Sequence, residues 1–134
     1  MNPEKKAYIS NWLFRAREDI SVMQNLEQSG LEYYVSTICF HAQQAVEKYL
    51  KAYLILHDID FPRTHDVDYL LLECQKIDAN QFDFDFRSLT EFGVSVRYPD
   101  DFYIPGIGET KEYIEVALDV KDLVEKTIER VIKD

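Results

Sequence analysis

Polar side chains recur at helical spacing in the middle of the sequence. His41, Gln44, Lys48 and Lys51 follow one another at intervals of three, four and three residues, so they share one face of a helix. Lysine ammonium groups attract anions, while imidazole and carboxamide groups form directed hydrogen bonds. This combination indicates a polar groove for an anionic ligand, with the lysines supplying charge and the other two side chains supplying hydrogen bonds.

The same face also has a purely structural interpretation. Gln43 and Glu47 lie beside it, and Glu47 precedes Lys51 by four residues, which is the favourable order for an ion pair on a helix. A solvated face with one such pair contributes little to stability and binds nothing. The spacing alone leaves both interpretations open.

A second candidate group lies in the stretch VRYPDDF, which contains Arg97, Tyr98 and Asp100. Pro99 disfavours helical conformation at the residue before it, so we expect a helix arriving from residue 89 to end near Tyr98. Arg97 on that last turn either stabilises the carbonyl end of the helix or binds phosphate or carboxylate as a guanidinium fork. It could also pair with Asp100 or Asp101 across the turn.

The sequence contains no recognisable motif for a metal or a cofactor. Its histidines lack HxxxH or HExxH spacing, and they are His41, His57 and His65. The stretch that starts at Asp58 has the acidic beginning of a calcium loop, but Arg63 and Tyr69 replace its glycine and its final glutamate. A glycine-rich phosphate loop and a GxSxG elbow are also missing. We therefore expect neither a metal nor a cofactor.

The elements that position these residues are predicted to be helices. Apolar residues at helical spacing predict helices over residues 3–29, 32–59 and 65–77, and a final helix from about residue 110. Pro3 suits a first helical position, Gly30 suits a helix end, and Thr64 is the expected N-cap of the third helix.

A further helix is expected between the third and the last. The phenylalanines at 82, 84 and 86 alternate as in a strand, but no partner strand is available, so we expect an irregular link into a helix that reaches residue 96. The sequence thus predicts an all-α, antiparallel up-and-down bundle of four to five helices, in a single domain over residues 1–134.

Composition restricts the possible partners. The 134-residue chain carries a net charge of −10, which disfavours sequence-independent binding to duplex nucleic acid but allows a small local basic site. No apolar run approaches the roughly 20 residues of a membrane helix, and no signal peptide is evident. Cys39 and Cys74 fall within apolar helical patterns, so we expect two buried, reduced thiols in a cytoplasmic protein that does not contact membranes.

Three stretches together resemble HEPN-domain proteins, a family named for nucleotide binding in higher eukaryotes and prokaryotes. They are AREDI, the long stretch FHAQQAVEKYLKAYLILHDIDFPRTHDVDYLL and VRYPDDF, at residues 16–20, 40–71 and 96–102. The resemblance covers most of the chain. It implies a helical bundle that is usually dimeric, and small members often accompany a minimal nucleotidyltransferase as a toxin–antitoxin pair.

Many HEPN proteins are metal-independent endoribonucleases with an Arg-x4-6-His motif, and this sequence departs from that motif. If Arg97 is the arginine, the histidine positions hold Phe102, Tyr103 and Ile104. Tyrosine, with a pKa near 10, is a poor acid–base catalyst at neutral pH. The resemblance therefore implies binding of a nucleotide or single-stranded RNA, or a role as partner, rather than cleavage.

Two functional hypotheses follow, and both involve a dimer. The first is a nucleotide-binding and interaction module, with candidate ligands at His41, Gln44, Lys48, Lys51, His65, Arg97, Tyr98 and Asp100. The second is a divergent endoribonuclease that uses Arg97 with His41 or His65. A homodimer is expected because the chain is rich in tyrosine and phenylalanine, with interface candidates at Tyr33, Tyr34, Phe102, Tyr103 and the final helix.

Overall fold

The computed structural model describes residues 1–93 and 103–133, and everything it describes is helical or irregular. The four α-helices are α1 (Pro3–Gly30), α2 (Val35–Leu56), α3 (Val67–Ile77) and α4 (Ile107–Lys133). Two short 3-10 helices lie at Leu31–Tyr33 and Leu89–Phe92. These described parts of the chain contain no β-strand, and the predicted all-α bundle is confirmed.

Helix α2 is the centre of the bundle, because it packs against α1, α3 and α4. Its apolar residues occupy most of its circumference, as expected for a helix covered on several sides. Tyr49, Leu50 and Leu54 are completely buried. The Tyr49 hydroxyl donates to Glu125 of α4, and Arg17 of α1 donates to the same carboxylate at 2.6 Å, so one acidic group connects three helices.

The first helix begins and ends near the predicted residues. The Asn2 side chain accepts a hydrogen bond from the Lys5 amide at 2.8 Å, and Pro3 follows it. Gly30 has a φ of 126°, a conformation that side-chain-bearing residues rarely adopt. The chain then turns through the first 3-10 helix into α2, which brings α1 and α2 side by side.

The start of α3 differs from the sequence prediction. Asp66, rather than Thr64, is the N-cap, because its carboxylate accepts hydrogen bonds from the amides of Asp68 and Tyr69. The Thr64 hydroxyl instead accepts from the Asp66 amide at 3.0 Å. A carboxylate satisfies two free amides at once and also favours the positive end of the helix dipole.

Residues 78–88, which follow α3, form the expected irregular link. Phe82 and Phe86 are buried against the core, and the helix predicted to reach residue 96 is a 3-10 helix over the described residues Leu89–Phe92. Its remaining predicted part, together with Arg97, Tyr98 and Asp100, lies outside the described residues. Helix α4 begins at Ile107, three residues before its predicted start.

Both cysteines are buried and free, as predicted. Burial raises the pKa of the Cys39 thiol to about 11, and burial also raises the pKa of Cys74. Among the described helices, none combines the length and apolar character needed to cross a membrane.

Candidate functional site

The polar side chains of α2 take part in two hydrogen-bond networks, one around Asp19 and one around Glu47. In the first network, the Asp19 carboxylate of α1 contacts two side chains of α2. His41 Nδ1 lies 2.8 Å from one oxygen of the Asp19 carboxylate, and Lys48 Nζ lies 2.5 Å from the other. The Asp19 side chain is only 10% exposed. This carboxylate therefore fixes both side chains and compensates the charge of Lys48.

Glu47 is the centre of the second network and is almost fully buried. Its side chain is 4% exposed and accepts from Lys51 Nζ at 2.9 Å, while His65 Nδ1 lies 2.8 Å from its other oxygen. Gln43, also buried, donates to Glu47 at 3.3 Å. The predicted Glu47–Lys51 pair exists, but the interpretation of this face as solvated is wrong at Gln43, Glu47 and Lys51.

These buried side chains also fix the loop between α2 and α3. Lys51 donates to the carbonyl of Thr64 at 2.8 Å, and Gln43 donates to the carbonyl of His65 at 2.7 Å. The Thr90 hydroxyl donates to the same His65 carbonyl. Because the loop folds back over α2, Gln43, Glu47 and Lys51 are buried, and residues 61–65 form a wall above them.

A cavity of about 690 Å³ lies between α1, α2 and this loop, and we call it the α1–α2 cavity. Its lining combines aromatic, cationic and polar side chains: Tyr8, Asn11, Trp12, Arg15, Gln44, Glu47, Lys48, Lys51, Phe61, Pro62, Arg63, Thr64 and His65. The Lys51 ammonium lies 5.3 Å from the centre of the Trp12 ring and 5.8 Å from that of Phe61. The volume is typical of a small-molecule site.

Family and fold comparisons agree with this architecture. The HEPN domain family matches residues 9–131. The chain belongs to the HEPN family. The crystal structure of an archaeal HEPN homologue aligns with this chain with a TM-score of 0.62 and 22% identity, covering 90% of this chain and 97% of that one. At this identity the likeness establishes the fold. No curated protein sequence matches significantly.

The structure brings most of the described candidate residues of this HEPN domain to one place. Four of them line the α1–α2 cavity, namely Gln44, Lys48, Lys51 and His65. His41 shares Asp19 with Lys48 but is not part of the cavity lining. The two predicted lysines are already paired with carboxylates, so they are weaker sources of free positive charge than the sequence suggested.

Two cationic residues of the site were missed by the sequence analysis. Arg15 and Arg63 are exposed and line the cavity, and within residues 1–93 and 103–133 neither has a hydrogen-bond or ion-pair partner. The sequence contains a pattern that could have indicated Arg15: Tyr8, Asn11 and Arg15 follow one another at helical spacing and share one face of α1. Arg63 gave no comparable signal, since its position depends on how the loop folds.

The cavity has no metal-ligating arrangement. Across the described parts of the chain, no group of three or more histidine, cysteine, aspartate or glutamate side chains is placed to hold a metal ion. The chemistry that the site can perform with its own groups is anion binding by arginine and lysine, stacking on aromatic rings, and proton exchange at His65.

Proposed function

We propose that this HEPN domain is a binding and interaction module that holds an anionic nucleotide or single-stranded RNA in the α1–α2 cavity. The observation that carries this proposal is the concentration of four cationic side chains in one cavity of a chain with a net charge of −10. These are Arg15, Lys48, Lys51 and Arg63. One carboxylate, Glu47, also lines the cavity, so the lining remains positive overall. A positively charged cleft raises the local concentration of anionic ligands.

Aromatic groups at the same cavity support a nucleotide rather than a simple anion. Tyr8 is 52% exposed and lies edge-on to Trp12, with ring centres 6.3 Å apart. Phe61 lines the cavity from the loop. Bases stack on such side chains with little sequence preference, which contributes about 1–3 kcal/mol per base.

The location of the site can be tested by adding one negative charge at its edge. Asn11 is exposed and lines the cavity, so Asn11→Glu should weaken binding of AMP or a short single-stranded RNA about fivefold or more, since charges a few ångströms apart near a surface interact by roughly 1 kcal/mol or more. Isothermal titration calorimetry at low salt with chelator present measures the change.

A matched control comes from the same helix. Asn25→Glu makes the same charge change at an exposed position of α1 that does not line the cavity, and it should leave the affinity close to that of the wild type. Equal affinities of the two variants would place the binding site elsewhere. Absence of measurable nucleotide or RNA binding in the wild type would contradict the proposed function itself.

We retain Arg97, with Tyr98 and Asp100, as proposed ligands of the same anion. The support is chemical: an arginine fork recognises phosphate without an acid–base partner, because its charge and its donors do not depend on proton transfer. Arg97→Ala should weaken nucleotide binding by about 1.5–3 kcal/mol if the contact is charge-assisted. If Arg97→Ala binds the nucleotide with unchanged affinity, Arg97 is not a ligand, and the alternative remains that it stabilises the end of a helix.

We further propose that the module acts as a cytoplasmic homodimer and engages a minimal nucleotidyltransferase, as a toxin–antitoxin-like pair. The support is membership of the HEPN family. Co-expression with the product of a neighbouring nucleotidyltransferase gene, followed by affinity purification, tests the pairing. The proposal fails if the two proteins elute separately at micromolar concentration.

One observation favours a second candidate function, a metal-independent endoribonuclease. His65 is 68% exposed at the cavity, while its Nδ1 is held by the buried Glu47 carboxylate. A carboxylate on one ring nitrogen fixes the imidazole orientation and leaves the other nitrogen for proton transfer. His41 has a similar contact with Asp19 but is not part of the cavity lining, so His65 is the better candidate of the two.

Cleavage of labelled single-stranded RNA in the presence of chelator separates the two functions. We expect little or no cleavage, because Tyr103 occupies a position where the family motif has its histidine. A hydrogen bond from the Tyr103 hydroxyl to Glu109 raises the tyrosine pKa further. Robust cleavage that disappears in both His65→Gln and Arg97→Ala would establish the enzyme instead.

A further inference from the structure

Arg15 and Arg63 lie on different walls of the α1–α2 cavity, and their guanidinium groups are without partners in the described chain. We propose that these two arginines together bind a phosphomonoester. The cavity would then recognise a mononucleotide or the phosphorylated end of an RNA strand rather than an internal phosphodiester. This inference rests on the proposed function and names the chemical group that the site selects.

The charges around the cavity match a dianion. Lys48 is paired with Asp19 and Lys51 with Glu47, so two of the four positive charges are compensated by two carboxylates. Of the four, Arg15 and Arg63 are the two without a compensating carboxylate in the part of the chain that the structure describes. A phosphomonoester carries about −1.5 to −2 charges at neutral pH, whereas each internal phosphodiester carries one.

The numbers of hydrogen-bond donors and acceptors favour the same ligand. Each guanidinium presents a planar fork of donors that pairs with two oxygens at once. A phosphomonoester offers three terminal oxygens, enough for two forks that share one oxygen. An internal phosphodiester has two non-bridging oxygens, because its other two are bonded to carbon, and it serves one fork well but not two.

The wall that carries Arg63 is held in place before any ligand arrives. Arg63 immediately precedes Thr64 and His65, whose carbonyls accept from Lys51 and Gln43 of the buried network. Fixing a binding group in advance reduces the entropy lost on association. The guanidinium of Arg63 therefore extends from a rigid support, and only its own side chain has to become ordered.

The surroundings of the cavity disfavour a strand that passes through it. The loop and the start of α3 carry exposed aspartates on both sides of Arg63, at Asp58, Asp60, Asp66 and Asp68. Binding along a nucleic acid requires successive cations that displace counterions from successive phosphates. A single terminal phosphate requires only the local pair of arginines.

Calorimetry with unlabelled ligands tests the inference directly. Matched ten-nucleotide single-stranded RNAs with a 5′-phosphate, a 3′-phosphate or two hydroxyl ends are titrated into the wild-type protein, together with AMP and adenosine. We expect at least about tenfold tighter binding of a phosphorylated end than of the hydroxyl-ended strand, and of AMP than of adenosine. Comparing the affinities of the 5′-phosphorylated and 3′-phosphorylated RNAs shows which end is preferred. Comparing AMP with the phosphorylated RNAs shows whether a free nucleotide or a strand binds more tightly.

Variants assign the preference to the two arginines. Arg15→Ala and Arg63→Ala should each reduce the ratio of affinities between phosphorylated and hydroxyl-ended RNA several-fold. Arg130→Ala, at an exposed position of α4 outside the cavity lining, should leave the ratio unchanged. Both cavity arginines are exposed and have no partner among residues 1–93 and 103–133, so their removal should leave the thermal unfolding midpoint unchanged. That midpoint serves as the control for folding.

The possible failures are distinct. Equal affinities for phosphorylated and hydroxyl-ended RNA, with binding still weakened by Asn11→Glu, would overturn the phosphomonoester inference and leave the binding function intact. A phosphate preference that survives in both arginine variants would also overturn it. If neither RNA nor AMP binds to the wild type, the proposed function fails and the inference fails with it.

Discussion

At the scale of single residues, the buried carboxylate of Glu47 connects several side chains at the cavity. Removing two charges from water is costly, and their attraction offsets that cost only when the remaining hydrogen-bonding positions are filled. Here they are filled: Glu47 is in contact with Lys51, Gln43 and His65, and Lys51 also donates to the Thr64 carbonyl. The network therefore determines where the loop lies on α2.

Two glutamate–lysine pairs allow the effect of burial to be measured. Glu47→Ala leaves Lys51, 7% exposed, as an unpaired buried charge, and should lower the free energy of unfolding by about 3–5 kcal/mol. Glu129→Ala breaks a pair with Lys133 that has the same i,i+4 spacing but is exposed, and should change the free energy of unfolding far less, because exposed ion pairs contribute little. Urea denaturation followed by circular dichroism measures both, and similar losses would refute the argument.

The residues of the site could be predicted from sequence only in part. Helical spacing correctly placed Gln44, Lys48 and Lys51 on one face, because spacing depends on local backbone geometry alone. It could not distinguish buried from solvated side chains, since Lys51 is covered by a loop that follows it in sequence and folds back. The same non-local contact places Arg63 at the cavity, where no local pattern indicated it.

At the scale of elements, the junction between α1 and α2 depends on one glycine. A Cβ atom at Gly30 would lie 2.7 Å from the Tyr33 ring, and its φ of 126° strains any other residue. Gly30→Ala should therefore destabilise the fold by more than about 1 kcal/mol. Thermal or urea unfolding measures the loss.

The control is a glycine without such constraints. Gly108 lies in the first turn of α4, and no atom comes within 4 Å of a Cβ placed there. Gly108→Ala should be neutral or stabilise the fold by up to about 1 kcal/mol, since alanine loses less backbone entropy in a helix. A stabilising effect of alanine at position 30 would contradict the role given to that glycine.

Most helices could be predicted from apolar spacing, but several of their ends could not. Helix α2 was expected to reach residue 59, whereas it ends at Leu56 and Asp58 adopts a φ of 59°. Glycine is the usual residue in this left-handed conformation at a helix end. Because an aspartate occupies the position here, the sequence gives no glycine from which the end of the helix could be predicted. The N-cap at Asp66 was missed for a related reason, because both Thr64 and Asp66 have suitable side chains and only the fold selects one.

At the scale of the whole molecule, exposed aromatic residues bear on the predicted homodimer. Of the interface candidates, Tyr33 is 77% exposed, Tyr103 53% and Tyr34 40%, while Phe102 lies outside the described residues. We expect light scattering at micromolar concentration to give twice the chain mass of 15.8 kDa. A mass of one chain would contradict the dimer, and Tyr33→Ser tests whether this side chain contributes to it.

The two core cysteines make this chain convenient for site-specific labelling. The thiolate is the form that reacts with maleimide dyes, and the sequence has only two cysteines, both buried and with raised pKa values. The folded wild-type background should therefore remain unlabelled without any cysteine being removed. A single cysteine introduced at Asn11 would place an environment-sensitive fluorophore at the edge of the α1–α2 cavity, where its emission would report occupancy in real time.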